Sequence, residues 1–171
     1  MTTARRKRKQ YCFVAACAGL LAYAGLVVVL TAGPPTGRAA ATERIVVDWH
    51  TGLAIDGYDP VGFFTDGKPV PGNADFELRY DGAVWRFANI GNRAAFAASP
   101  DVYMPRYGGY DPLGIAHGVA VAGNPNAWLI ADNKLFLFYD GDRRDKFVAD
   151  RDHMIDLAER KWPVVLRALT P

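Results

Sequence analysis

Two carboxylates stand in the same hexapeptide, 52 positions apart: Gly57-Tyr58-Asp59-Pro60-Val61-Gly62 returns as Gly109-Tyr110-Asp111-Pro112-Leu113-Gly114. An Asp before Pro suits a helix start. Its oxygen accepts from first-turn N–H groups, and Pro at the first helical position lacks an N–H that would have no partner there. Two carboxylates flanked by two phenols could instead line a ligand pocket, with Tyr58, Asp59, Tyr110 and Asp111 converging where the two repeats meet. His117 follows Asp111 by about two helical turns and would add a nitrogen donor to the second site. The repetition favours capping, because a duplicated unit keeps its folding signals. On that reading Asn, which retains an acceptor oxygen, replaces either Asp mildly, whereas Ala does not. Other chemistry is thin. His50, His117 and His153 form no i, i+4 pair on which to build a metal site, and the chain has no serine elbow, phosphate-cradling glycine loop or paired-cysteine motif.

The repeat continues past the hexapeptide at an offset of 51. Gly72-Asn73 answers Gly123-Asn124, Val84 to Phe87 answers Leu135 to Phe138, and Asn92 to Phe96 answers Arg143 to Phe147. A repeat of this length marks a duplicated supersecondary unit. Arg44 to Trp49 reads as a first strand. Each unit then reads as a capped turn, a hairpin and a helix. The hairpins turn at Asp81-Gly82 and Asp132-Asn133, and helices run over 89–98 and 141–150. Repeat one spans about 54–107 and repeat two about 108–162. A further amphipathic helix covers Asp152 to Lys161, where Pro163 is expected to interrupt it. Trp49, Trp85, Trp128 and Trp162 fall on expected strands and the last helix and read as core. The predicted fold is α+β, with the two hairpins paired into one small antiparallel sheet and helices packed on it.

The amino-terminal quarter is different. Residues 1–10 carry a basic run, Arg5 to Lys9, and Tyr11 to Ala32 contains no charged residue. Twenty-two residues at about 1.5 Å each cross a hydrocarbon core of about 30 Å, and the preceding cations place the amino terminus in the cytoplasm. Residues 11–32 therefore read as a single transmembrane anchor, with 33–43 a linker and 44–171 an exported domain. Two other readings stay open. Ala39-Ala40-Ala41 offers a signal-peptide cleavage site, although the apolar run exceeds the usual length, and Cys17 offers a lipoprotein site without the polar tether expected after it. From Thr42 onward the chain carries 14 Lys and Arg against 18 Asp and Glu, a net charge of −4. An acidic domain without a basic run is a poor match for nucleic acid.

Repeat one resembles a YHS domain. Asp59-Pro60-Val61 is similar to that family's opening, Tyr80 to Phe87 to its hairpin, and Phe96, Ser99-Pro100-Asp101 and Tyr103 to its helix and closing turn. Over about 45–168 the chain resembles the exported YHS-domain (seleno)protein family, through Ala54 to Val61, Tyr107-Gly108-Gly109-Tyr110 and Trp162-Pro163. Three positions where metal-handling YHS domains carry Cys hold Gly62, Ala88 and Asn92 here, and the family's Cys or selenocysteine position holds Asp111. The resemblance thus implies a site without thiol or soft-metal chemistry. It also implies that the second site is the reachable one, with Asp111 at a cleft edge near His117.

The expectation is a membrane-anchored, extracytoplasmic binding or interaction module of the bacterial inner membrane. Its partner would be a small molecule, a metal ion or an envelope protein, and its candidate ligand-binding residues are Tyr58, Asp59, Tyr110, Asp111 and His117. Two alternatives remain: a metal-handling protein using Asp59, Asp111 and His117 as ligands, or an enzyme using Asp111 as acid or base. Because Cys12 and Cys17 are the chain's cysteines, no disulfide contributes to the exported domain. The melting temperature of a protein spanning residues 42–171 should therefore be the same with and without dithiothreitol; a clear difference in a thermal melt would reveal a redox-sensitive group.

Overall fold

The computed structural model describes residues 43–169. The expected anchor at 11–32 and nearly all of the linker at 33–43 lie outside them. No described helix is long and apolar enough to cross a membrane.

Hairpin geometry begins with the turn residues. Asp81 and Gly82 adopt φ of 47° and 81°, and Asp132 and Asn133 adopt 50° and 56°. These are the paired left-handed conformations of a two-residue hairpin turn, held by residue types that tolerate them. They fold Asn73–Tyr80 (β1) onto Ala83–Phe87 (β2), and Asn124–Ala131 (β3) onto Lys134–Phe138 (β4). Both ladders are antiparallel, and both slip register at the same place, between Asn73 and Glu77 and between Asn124 and Trp128. In the first half α1 (Gly62–Thr65) precedes the hairpin, α2 (Ile90–Ala98) follows it, and α3 (Pro100–Tyr103) closes the unit. In the second, α4 (Pro112–Ala116) and α5 (Gly141–Ala149) take the places of α1 and α2, and α6 (Arg151–Leu169) is added. Asn89 and Asp140 cap α2 and α5, each accepting from the N–H three residues on at 2.9 Å.

The two cores are built alike. Trp85 and Phe87 pack on Phe96 with ring centroids 5.0 and 5.2 Å away, and Phe136 and Phe138 pack on Phe147 at 5.3 and 5.2 Å. All but Phe136, at 4% exposure, are completely buried. The outer faces differ. β2 alternates, with Val84 and Arg86 half-buried, whereas the corresponding Leu135 and Leu137 of β4 are buried. These two leucines join the first half's core beside Val61, Phe63 and Trp85, and Trp128 meets the edge of Phe63 at 5.4 Å.

The fold is thus α+β, but the hairpins form two separate two-stranded sheets rather than one. One reason is visible on β2, whose free edge is occupied: the Ala54 N–H donates to the Val84 carbonyl at 2.8 Å, in a parallel bridge of Leu53 with Val84. The second hairpin meets the first half through apolar side chains instead of a shared ladder.

Two further expectations are corrected. Arg44 to Trp49 is not a strand. It makes one isolated bridge, Val47 with Ala54, and then turns, because the Asp48 carboxylate accepts from the N–H groups of His50 and Thr51 and from the Thr51 hydroxyl. Trp49 sits on that turn, 75% exposed, and is not core. Pro163 does not interrupt the last helix, which continues to Leu169. Pro163 forfeits one donor toward the Glu159 carbonyl, while burial of Val165 and Leu169 holds the turns beyond it.

Candidate functional site

The repeated carboxylates are both completely buried and bonded in parallel. Oδ1 of Asp59 accepts from the N–H groups of Val61 (2.8 Å) and Gly62 (3.4 Å), and Oδ1 of Asp111 from those of Leu113 (2.8 Å) and Gly114 (3.4 Å). The other oxygen reaches across the unit. Oδ2 of Asp59 accepts from the Ala88 N–H at 2.8 Å and the Asn92 side-chain amide at 2.6 Å. Oδ2 of Asp111 accepts from the Tyr139 N–H at 3.1 Å and from Nε of Arg143, with which it forms an ion pair. Each Asp therefore caps the opening turn and also ties that turn to the strand end and the following helix. Capping was legible in the sequence; the tie was not, although Asn92 and Arg143 occupy matching repeat positions.

Asp111 is accordingly not at a cleft edge. Its four bonds fill its acceptor capacity and leave no surface to a ligand. Tyr110 is buried as well, its hydroxyl donating to the Glu43 carbonyl at 2.6 Å, while Tyr58 is half-buried against the first half's core. His117 is exposed at the C-terminal end of α4. Among the described residues, no group of three His, Cys, Asp or Glu is placed to hold a metal ion. The set proposed from sequence thus consists mostly of packing and capping groups, and none of its members lines the cleft described next.

That cleft, about 330 Å³, opens beside the turn that precedes Tyr110. Residues 106–109 form a tight turn in which Tyr107, Gly108 and Gly109 take φ of 54°, 62° and 89°. Ile55, Asp56 and Gly57 make the matching left-handed run, at 44°, 55° and 78°, in the first half. Gly108 is required by space as well as by φ: a Cβ there would stand 2.0 Å from the Arg44 carbonyl oxygen. Tyr107 bears the strain of a left-handed conformation, which costs a non-glycine residue about 1–2 kcal/mol, and its ring is fixed from several sides. Its hydroxyl donates to Glu159 on α6 at 3.2 Å, Trp162 meets it edge-on at 5.7 Å, and the Arg106 guanidinium lies 5.4 Å from its centroid while pairing with the same Glu159. Arg44, Lys134, Asp81 and Asp101 add charge to the walls. Burial, and then the Glu159 charge, push the Tyr107 phenol above its ordinary range. Burial likewise pushes Tyr110 up to about 12, with Glu43 as the second cause. Tyr107-Gly108-Gly109-Tyr110 is legible in the sequence as a motif; that its first turn borders a cleft, with the Tyr107 ring buried against α6 at 4% exposure, is not.

No family model, curated protein or solved structure matches the chain.

The four-bond carboxylates change what Asn should do. Its amide NH2 must face either the first-turn N–H groups or the cross-unit donors, setting donor against donor. Asp59→Asn and Asp111→Asn should therefore each lose about 1–3 kcal/mol, and the Ala variants about 2–4 kcal/mol. Denaturant melts check this, and Asn variants as stable as the parent would refute the second pair of bonds. The raised phenols make a pH prediction. Folding favours the neutral form of Tyr107 and Tyr110, so their contribution is fully present below the unfolded tyrosine range near pH 10. It is lost as pH rises through the folded values, about 12 for Tyr110. The melting temperature should fall from about pH 10 to 12, and a Tyr107→Phe, Tyr110→Phe double variant, less stable at pH 8, should fall less over that window. Equal slopes in both proteins would remove the two phenols as the cause.

Proposed function

We propose that this chain is a membrane-anchored, extracytoplasmic binding module of the YHS-like kind, working without thiol chemistry. The observation that carries the non-catalytic part is the state of Asp111. The residue at the position corresponding to the family's reactive chalcogen is sealed in the fold, and all four of its bonds hold the domain together. An acid or base must reach its substrate, and this carboxylate cannot. The same saturation argues against Asp59 and Asp111 as metal ligands. A cleft open to solvent lies beside the Tyr107 turn instead, of the size of a small-molecule site and walled by both signs of charge. The charge-free run at 11–32 and the cations before it support the anchor.

Native protein extracted from membranes in mild detergent would test this. Amino-terminal sequencing should show residues 1–32 still attached, and native mass spectrometry should show a mass excess that denaturation releases. A chain beginning at Thr42 would sink the anchor. Stoichiometric metal by elemental analysis would replace the binding module with a metal-handling protein.

A further inference from the structure

Resting on the reading of this domain as a binding module, we infer that the cleft at Tyr107 takes a small organic carboxylate with an apolar body. Arg44 is exposed and has no ion-pair partner among the described residues, and Lys134 donates to the Asp101 carbonyl at 3.2 Å with its charge unneutralised. Arg106 differs, because Glu159 neutralises it. The cleft therefore carries two cations without ion-pair partners beside an apolar wall of half-buried Met104 and Trp162, with the buried Tyr107 ring behind them. That wall is held rigid: Tyr107 is fixed by its left-handed backbone, its bond to Glu159 and its edge contact with Trp162. A carboxylate on the cations with its body on this wall uses both features, and a charged hydrogen bond to a carboxylate is the stronger kind.

Asp81 and Asp101, which have no ion-pair partner among the described residues, narrow the class. They repel a dianion more strongly than a monoanion. They would also favour a ligand whose ammonium faces them. Simple carboxylic acids and α-amino acids share the recognised chemistry, and binding measurements separate them. The first half has no equivalent site. Buried Ala54 stands where repeat two has Arg106, buried Ile55 where it has Tyr107, and no helix corresponding to α6 follows the first unit.

The test uses the full chain in detergent micelles, titrated calorimetrically with phenylacetate, L-phenylalanine and inorganic phosphate, while NMR follows the indole N–H of Trp162. Phenylacetate should bind with a Kd of about 1 mM or tighter, as its size allows, and should shift the Trp162 signal. Arg44→Ala and Lys134→Ala should each weaken it about tenfold at unchanged melting temperature. Tighter binding of L-phenylalanine, abolished as a preference by Asp81→Asn, would assign the amino-acid source; equal or weaker binding would assign simple acids. Absence of binding by both organic probes, binding of phosphate alone, or affinities untouched by the Arg44 and Lys134 variants would overturn the assignment. A native mass excess that persists in the Arg44→Ala, Lys134→Ala double variant would place the ligand elsewhere while leaving the binding-module reading intact.

Discussion

A carboxylate removed from water is tolerable only when donors replace the water it has lost. Asp59 and Asp111 meet that condition with four donors apiece, and no buried side-chain polar atom among the described residues lacks a partner. The donors come from three different elements: the opening turn, the end of the second strand and the helix that follows. Each unit's geometry is thereby fixed at one point, since moving any of the three elements would orphan a buried charge. The hydrophobic packing of Trp85 and Phe87 on Phe96, and of Phe136 and Phe138 on Phe147, is arranged around that pin. Packing supplies most of the free energy, and the carboxylate decides which packing is possible.

Duplication with divergence accounts for the rest of the architecture. The bonds around the pin are kept, including the matched backbone links Asp59 to Val70 and Asp111 to Val121, both 2.8 Å. What changed is the outer face of the second hairpin and the segment after α5. Leu135 and Leu137 stand where the first half has Val84 and Arg86, and they close the first half's core. Meanwhile α6 covers the second half and supplies Glu159 and Trp162 to the turn at Tyr107. One copy thus became the support of the other, and the supported turn became a cleft wall.

Local signals carried most of what sequence could show. The turn dipeptides, the capping Asp residues, the hairpins and the α+β class all follow from patterns within a few residues of one another. Long-range facts did not. Nothing near Asp59 announces Asn92, 33 positions away, and the closure of β2's edge by Ala54 is a tertiary event that turned one expected sheet into two. Trp49 was misplaced because a β-branched, apolar run outweighed a single Asp48, whose side chain bends the chain into a turn. The expectation of a reachable Asp111 rested on a resemblance alone; the carboxylate is buried and serves the fold, and the cleft lies beside the preceding turn.

The two-faced burial of β4 also sets an order of events. A chain made from its amino end exposes Phe63, Trp85, Phe87 and Phe96 long before Leu135 and Leu137 exist to cover them. The first unit is complete in sequence by about residue 107, yet its core stays open on one side until β4 has emerged. The first unit's core is therefore complete only when both halves are present. A nascent chain arrested between the units would lack the two leucines that complete the first unit's interior.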